Sequence, residues 1–394
     1  MTDAPITDML IAAVGALGRD DVAAFEHSLD ALVTSAGSQV STTLLARLTT
    51  AVGNAWIRGW QPVDVARAVR RIYGARHTRL AVDMIAVQMA DHPAETVDDR
   101  WAAQLRSLGA SVWWPDAGAY LEQRAAREKL DIIMATRYGV EVLAVIEGLP
   151  PLPHLLPRPG AAAVRRHPRR TGRDAARRML DRVRALLAKA ESSQFDSEAE
   201  AYTAKAQQLI ARHSLDVATL SNQDDGDRPV AVRVTVDGPY EEARALLLQN
   251  VAEANLCRSV WSAEFGFATV FGFPDDVTAV ELMYGSLLVQ GTATMVREGS
   301  AGRRKTFRQS FLYAYAVRIG QRLTAASESA RTEAADNDLL PVLASREAAV
   351  EESVADVFTK FTSRRARVSD EHGWVSGTAA ADRARLHDRR RVDN

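Results

Sequence analysis

The chain has 394 residues, 47% of them hydrophobic and 25% charged, with a formal net charge of -1. At roughly 100–200 residues per domain, this length predicts two or three domains, and the composition excludes a chain disordered throughout. A single cysteine, Cys257, excludes a disulfide framework and a multi-cysteine metal centre, and no apolar run reaches the roughly 18–20 residues of a membrane span.

The first residues, MTDAPITDML, carry neither the basic start nor the apolar stretch of a secretory signal, so a cytoplasmic setting is expected. From there to residue 148 the pattern predicts a helical domain. Apolar residues recur at three- and four-residue steps: Leu44, Leu48, Val52 and Trp56, then Val65, Ala68, Val69 and Ile72. Leu80, Met84 and Val87 mark a further helix, and Ile133, Tyr138, Val142, Val145 and Ile146 another. Pro62 falls where a first helical turn tolerates proline. Trp56 and Trp60 share a helix face if the helix runs through Gly59. With Trp113 and Trp114 they would form either an exposed stacking platform or, as aromatic residues more commonly do, interior packing.

Residues 149–172 break the helical pattern. Pro150, Pro151, Pro153, Pro157, Pro159 and Pro168 fix φ and remove backbone donors, which predicts a semi-extended linker. Residues 173–220 then read as a hairpin module, with helices over 173–191 and 197–214. Met179, Val183, Leu186, Leu187 and Ala190 form one apolar stripe, and Tyr202, Ala206, Leu209, Ile210 and His213 the facing one. Ser197 and Glu200 have capping-box spacing. His213 reads either as a metal ligand beside Glu198 or Glu200, or as a histidine stabilised by a helix C-terminus.

After a polar linker at 221–229 the period changes to two. Val230, Val232, Val234 and Val236 alternate with smaller or polar residues, which predicts a strand. A helix over 240–255 follows, then strands over 257–263 and 267–272 joined across Glu264-Phe265-Gly266. Asp275 and Asp276 open a long helix, where acidic groups suit the helix dipole. Helices near 306–335 and 344–365 complete an α+β domain over 230–365, and residues 366–394 form a polar basic tail. The expected fold is mainly α: a helical N-terminal domain, a central hairpin, and a C-terminal α+β domain with a small sheet.

The segment 176–213 resembles the short helical module of actinobacterial and phage proteins known as domain of unknown function 2786. Leu186-Leu187-Ala188-Lys189-Ala190-Glu191, Glu198-Ala199-Glu200-Ala201, Ala206-Gln207 and Leu209 to His213 carry the likeness. Phe271-Gly272, Asp275-Asp276-Val277, Glu281, Tyr284, Arg308-Gln309-Ser310-Phe311 and Arg318 to Leu323 resemble the companion domain of such proteins. Trp56-Ile57-Arg58-Gly59-Trp60-Gln61-Pro62 resembles their extended actinobacterial version. The resemblance implies architecture and a bacterial cytoplasmic setting, and it assigns no catalytic residues.

No H-E-x-x-H, phosphate-binding glycine loop or G-x-S-x-G is present. No metal site and no cofactor are therefore expected. Cys257 reads as a small buried hydrophobe. The strongest local anomaly is basic: residues 158–184 hold ten arginines against Asp174 and Asp181, a charge of +8 in a chain of net charge -1. Arginine outnumbers lysine 44 to 5 in the whole chain, so part of this density reflects a GC-rich coding sequence. Clustered arginine leading into a helix suits phosphate contact. Arg165, Arg166, Arg169, Arg170, Arg173 and Arg177 are the candidate contacts, in a non-enzymatic protein whose expected partner is DNA or RNA. The competing reading of these arginines is a solvated linker, or one paired with an acidic face. Two other functional classes stay open: a hydrolase or nuclease built from Asp275, Asp276, Glu281 and Arg308, and an adaptor that meets a protein partner through its N-terminal helices.

Overall fold

The structure, a computed structural model, describes residues 4–161, 173–193, 196–220, 228–298, 305–333 and 339–358, together with Thr378. These fall into two compact units, one within Met1–Arg166 and one within His167–Asn394. The fold is mainly α with one three-stranded antiparallel sheet.

The first unit is all helical: α1 (Ala4–Gly18), α2 (Val22–Val33), α3 (Gly37–Ile57), α4 (Pro62–Ile72), α5 (Ala75–Ala90), α6 (Asp99–Leu108), α7 (Tyr120–Glu128) and α8 (Ile132–Gly148). Leu44, Leu48, Val52 and Trp56 of α3 pack in a core that also holds Val65 and Val69 of α4, Leu80 and Met84 of α5, and Val140 and Leu143 of α8, all buried. The condition for Trp56 and Trp60 to share one helix face, a helix running through Gly59, is not met. Helix α3 stops at Ile57, and Gly59 adopts a left-handed φ of +86°. Trp60 N–H donates to the Ala55 carbonyl at 3.0 Å and Gly59 N–H to that of Trp56 at 3.1 Å, a Schellman closure that needs glycine at this position. Trp56 and Trp60 are both buried, as the packing reading expects.

The proline-rich stretch contains no helix or strand over 149–161, but its first part is tied down. Leu152 N–H donates to the Arg58 carbonyl at 2.7 Å, and Trp60 Nε1 donates to the Pro150 carbonyl at 2.7 Å. A Cβ on Gly59 would stand 2.1 Å from the Leu152 carbonyl oxygen, so this close approach depends on the missing side chain.

The second unit begins with the hairpin α9 (Arg173–Ser192) and α10 (Asp196–Leu220). It continues through β1 (Val230–Thr235), α11 (Glu241–Ala254), β2 (Arg258–Ser262), β3 (Phe267–Gly272), α12 (Pro274–Glu298), α13 (Lys305–Glu333) and α14 (Leu339–Val357). The predicted strands match these within two residues. Strand β3 is central and antiparallel to both neighbours, with Val232 and Ser259 flanking Val270. One sheet face, with Ala268, Val270 and Val234, joins a core made with Leu248 and Val251 of α11 and with Val280 and Met283 of α12. Val183, Leu187, Ala206 and Ile210 of the hairpin enter that same core, so hairpin and sheet fold together. The opposite face is partly covered by α14, where Phe271 and Phe273 meet Val350 and Val354.

Three boundaries differ from the sequence expectation, the third being the end of α14 at Val357, where the expected helix ran to 365. Helix α10 runs six residues past 214, because Leu215-Asp216-Val217 offers neither glycine nor proline to stop it. Helix α14 starts at Leu339 rather than 344, with Pro341 in its first turn, where proline costs no hydrogen bond. Residues 162–172 of the Pro/Arg-rich linker, 221–227 of the polar linker at 221–229, 359–365 of the expected last helix and the tail at 366–394, apart from Thr378, lie outside the described residues, as do the side chains of Ser197 and Glu200.

Candidate functional site

Of the six arginines singled out by sequence, Arg165, Arg166, Arg169 and Arg170 lie outside the described residues. Arg173 opens α9, and its side chain is likewise outside them. Arg177 is exposed on α9. That helix is strictly two-sided. Ala176, Met179, Leu180, Val183, Leu187 and Ala190 are buried, while Arg177, Arg178, Asp181, Arg182, Arg184, Ala185, Ala188 and Lys189 all face solvent.

The cations of the outer face are little used by the fold. Arg184 Nη1 meets Asp181 Oδ1 at 2.8 Å, a pair with side chains 50% and 59% exposed. Such an exposed pair contributes about 0–1 kcal/mol. Lys189 Nζ stands 5.5 Å from the Tyr202 ring centre. Among the described residues no carboxylate pairs with Arg177, Arg178 or Arg182. Among the described residues these three arginines carry no ion pair that the fold would lose if they met an external anion. Sequence reasoning named Arg177 and passed over Arg178 and Arg182 as site residues. Helical periodicity was the signal that places them on the outer face.

A second constellation was not foreseen. At the start of α12, Asp276 is 2% exposed. It accepts from Ser214 Oγ of α10 at 2.5 Å and from Arg346 Nη2 of α14 at 2.9 Å. The Arg346 guanidinium lies 3.7 Å from the centre of the Phe273 ring, and its Nε and Nη1 are buried with no hydrogen-bond partner. Full burial pushes the Asp276 carboxyl above the ordinary carboxylate range, outweighing the opposing pull of Arg346 and Ser214. Next to it, His213 Nε2 lies 3.4 Å from Asp275 Oδ2. His213 is therefore a mid-helix residue facing α12, neither a helix-terminal histidine nor a ligand beside Glu198 or Glu200.

These groups pin α10, α12 and α14 together. Ser214 and Arg346 already hold Asp276, Asp275 is half-exposed, and Glu281 and Arg308 are exposed on α12 and α13. Among the described residues no three His, Cys, Asp or Glu side chains are grouped to hold a metal ion. Cys257 is fully buried, and burial pushes its thiol well above the usual range. A thiol held protonated in this way is a poor nucleophile.

In the first unit the comparable buried charge is Asp83. It accepts from Trp113 Nε1 at 2.9 Å, Tyr120 OH at 2.9 Å and Arg124 Nη1 at 2.8 Å. Trp113 is thus hydrogen-bonded into the unit, Arg127 stacks over it at 4.2 Å, and Trp114 is buried, so neither tryptophan offers an open stacking face.

Residues 178–217 match a family model described as Protein of unknown function (DUF2786), which covers α9 from Arg178 and α10 as far as Val217. No curated protein and no solved structure matches the chain. Among the described residues no helix is long and apolar enough to cross a membrane.

Proposed function

We propose that the protein is a non-enzymatic nucleic-acid-binding protein. It contacts phosphates through Arg165, Arg166, Arg169, Arg170, Arg173 and Arg177, and through Arg178 and Arg182 on the same helix. The observation that carries this reading is the outer face of α9, where Arg177, Arg178 and Arg182 are exposed and no described carboxylate pairs with them. Charge that served the fold would be buried or paired, as Arg346 and Arg124 are. The local charge of +8 over residues 158–184 supplies the long-range attraction. The setting that fits is the bacterial cytoplasm, with the α+β domain over 230–365 as the companion domain of the hairpin in an actinobacterial or phage lineage.

Binding of the purified chain to DNA or RNA, titrated against salt, tests the reading. Each phosphate neutralised on duplex DNA adds about 0.9 to the magnitude of the log–log slope. Four engaged arginines give a slope of roughly -3 to -4, and alanine at those four flattens it towards zero. Affinity should fall alike for all sequences, because phosphate contacts carry no sequence information. Absence of salt-sensitive binding at low ionic strength would remove the reading.

A further inference from the structure

The exposed cations of α9 are not scattered over its outer face. At about 100° per residue, Arg177 and Arg184 project within roughly 20° of each other, and the position of Arg173 falls on the same line. Arg178, Arg182 and Lys189 project within roughly 40° of one another on a second line, about 130° away around the axis. The strip between the two lines holds Asp181, Ala185 and Ala188, all exposed, with Asp181 bonded to Arg184; the position of Asp174 falls on this strip as well, and exposed Glu191 falls on the line of Arg177 and Arg184 near the end of the helix. The opposite side is the buried face that joins the core. The helix therefore presents two cationic rows flanking a strip that is mostly small.

We infer that α9 lies lengthwise in the major groove of a B-form DNA duplex, with one row on each phosphate backbone and the alanine strip over the groove floor. This rests on the nucleic-acid reading above and narrows its ligand to a class. A helix with side chains is about 10–12 Å across, and the B-DNA major groove is about 12 Å wide. Short residues on the central strip let the axis sit deep, and rows on both flanks meet both strands. The A-form major groove of duplex RNA is too deep and narrow to admit such a helix. Single strands are held mainly by aromatic stacking. The described hairpin offers for this only Tyr202, half-buried beneath Lys189, and His213, half-buried against Asp275.

Anisotropy titrations of the full chain with a DNA duplex, an RNA duplex and a single DNA strand of equal length decide it. The DNA duplex should bind most tightly of the three. Arg177→Ala with Arg184→Ala, and separately Arg178→Ala with Arg182→Ala, should each reduce the salt slope on that duplex by about 1.8. Lysine at the same positions should retain the slope. Equal or tighter binding of the RNA duplex or the single strand would overturn the groove placement, as would a slope that responds to one row only, and either result leaves the nucleic-acid reading standing. No salt-sensitive binding to any of the three would overturn both.

Discussion

Arg182 and Arg346 belong to the same compact unit and share little beyond residue type. Arg182 stands exposed on α9, and among the described residues no carboxylate pairs with it. Arg346 is 7% exposed, bonded to Asp276 and stacked on Phe273, with two of its nitrogens left unpartnered in the interior. The first charge costs the fold almost nothing and remains available for a ligand. The second is committed to holding α14 against α12, and its desolvation offsets much of what its ion pair contributes. Composition counts the two alike. Their roles separate only when each is placed on a helix face and its partners are known.

The largest effect is expected where the buried charge is broken. Arg346→Ala strands the Asp276 carboxyl in the interior and should destabilise the second unit by about 3–5 kcal/mol, read by chemical denaturation. Replacing both partners, Asp276→Asn with Arg346→Met, should recover most of that loss, since an apolar side chain of similar length needs no partner. Failure of the pair to recover would place the role of Arg346 in shape rather than charge.

A backbone change in the first unit comes next. Gly59→Ala forces a Cβ against the Leu152 carbonyl at a left-handed φ. A cost of about 2–3 kcal/mol is expected, together with faster proteolysis within 150–161. Unaltered stability would show that the stretch after α8 is not anchored through this contact.

The pH dependence of Asp276 sharpens the contrast further. Its folded value lies above the ordinary one, so the group favours folding when protonated, and its contribution is lost as pH rises through the raised folded value. The wild-type protein should therefore gain stability relative to Asp276→Asn as pH falls from about 7 towards about 4. A constant difference across that range would show that Arg346 and Ser214 fully compensate the burial. The smallest effect belongs to the exposed charge: Arg182→Ala should change the unfolding free energy by no more than about 0.5 kcal/mol.

Much of this architecture was readable from periodicity. The alternating valines from Val230 to Val236 marked β1, and the stripe from Met179 to Ala190 marked the buried face of α9, which also fixes its basic outer face. The Asp276–Arg346 pair was not readable, because its partners lie 70 residues apart and no local pattern announces the contact. Asp276 looked like an ordinary first-turn acid serving the helix dipole, which its position also permits. His213 was misplaced for a related reason: the apolar stripe weakens after it, yet α10 continues to Leu220 through packing of Leu215 against Leu256 and Leu343. The Gly59 turn was only half legible: Pro62 marked the start of the next helix, but a helix through Gly59 stayed open, because the left-handed φ there is set by the close approach of Leu152, far away in sequence.

On the reading proposed here, the arginines on the outer face of α9 serve a ligand and not the fold. The most direct test is the salt dependence of DNA binding for the triple variant Arg177→Ala, Arg178→Ala, Arg182→Ala, beside the unchanged chain. The expected result is a slope smaller in magnitude by about 2.7. An identical slope in the two proteins would contradict the claim.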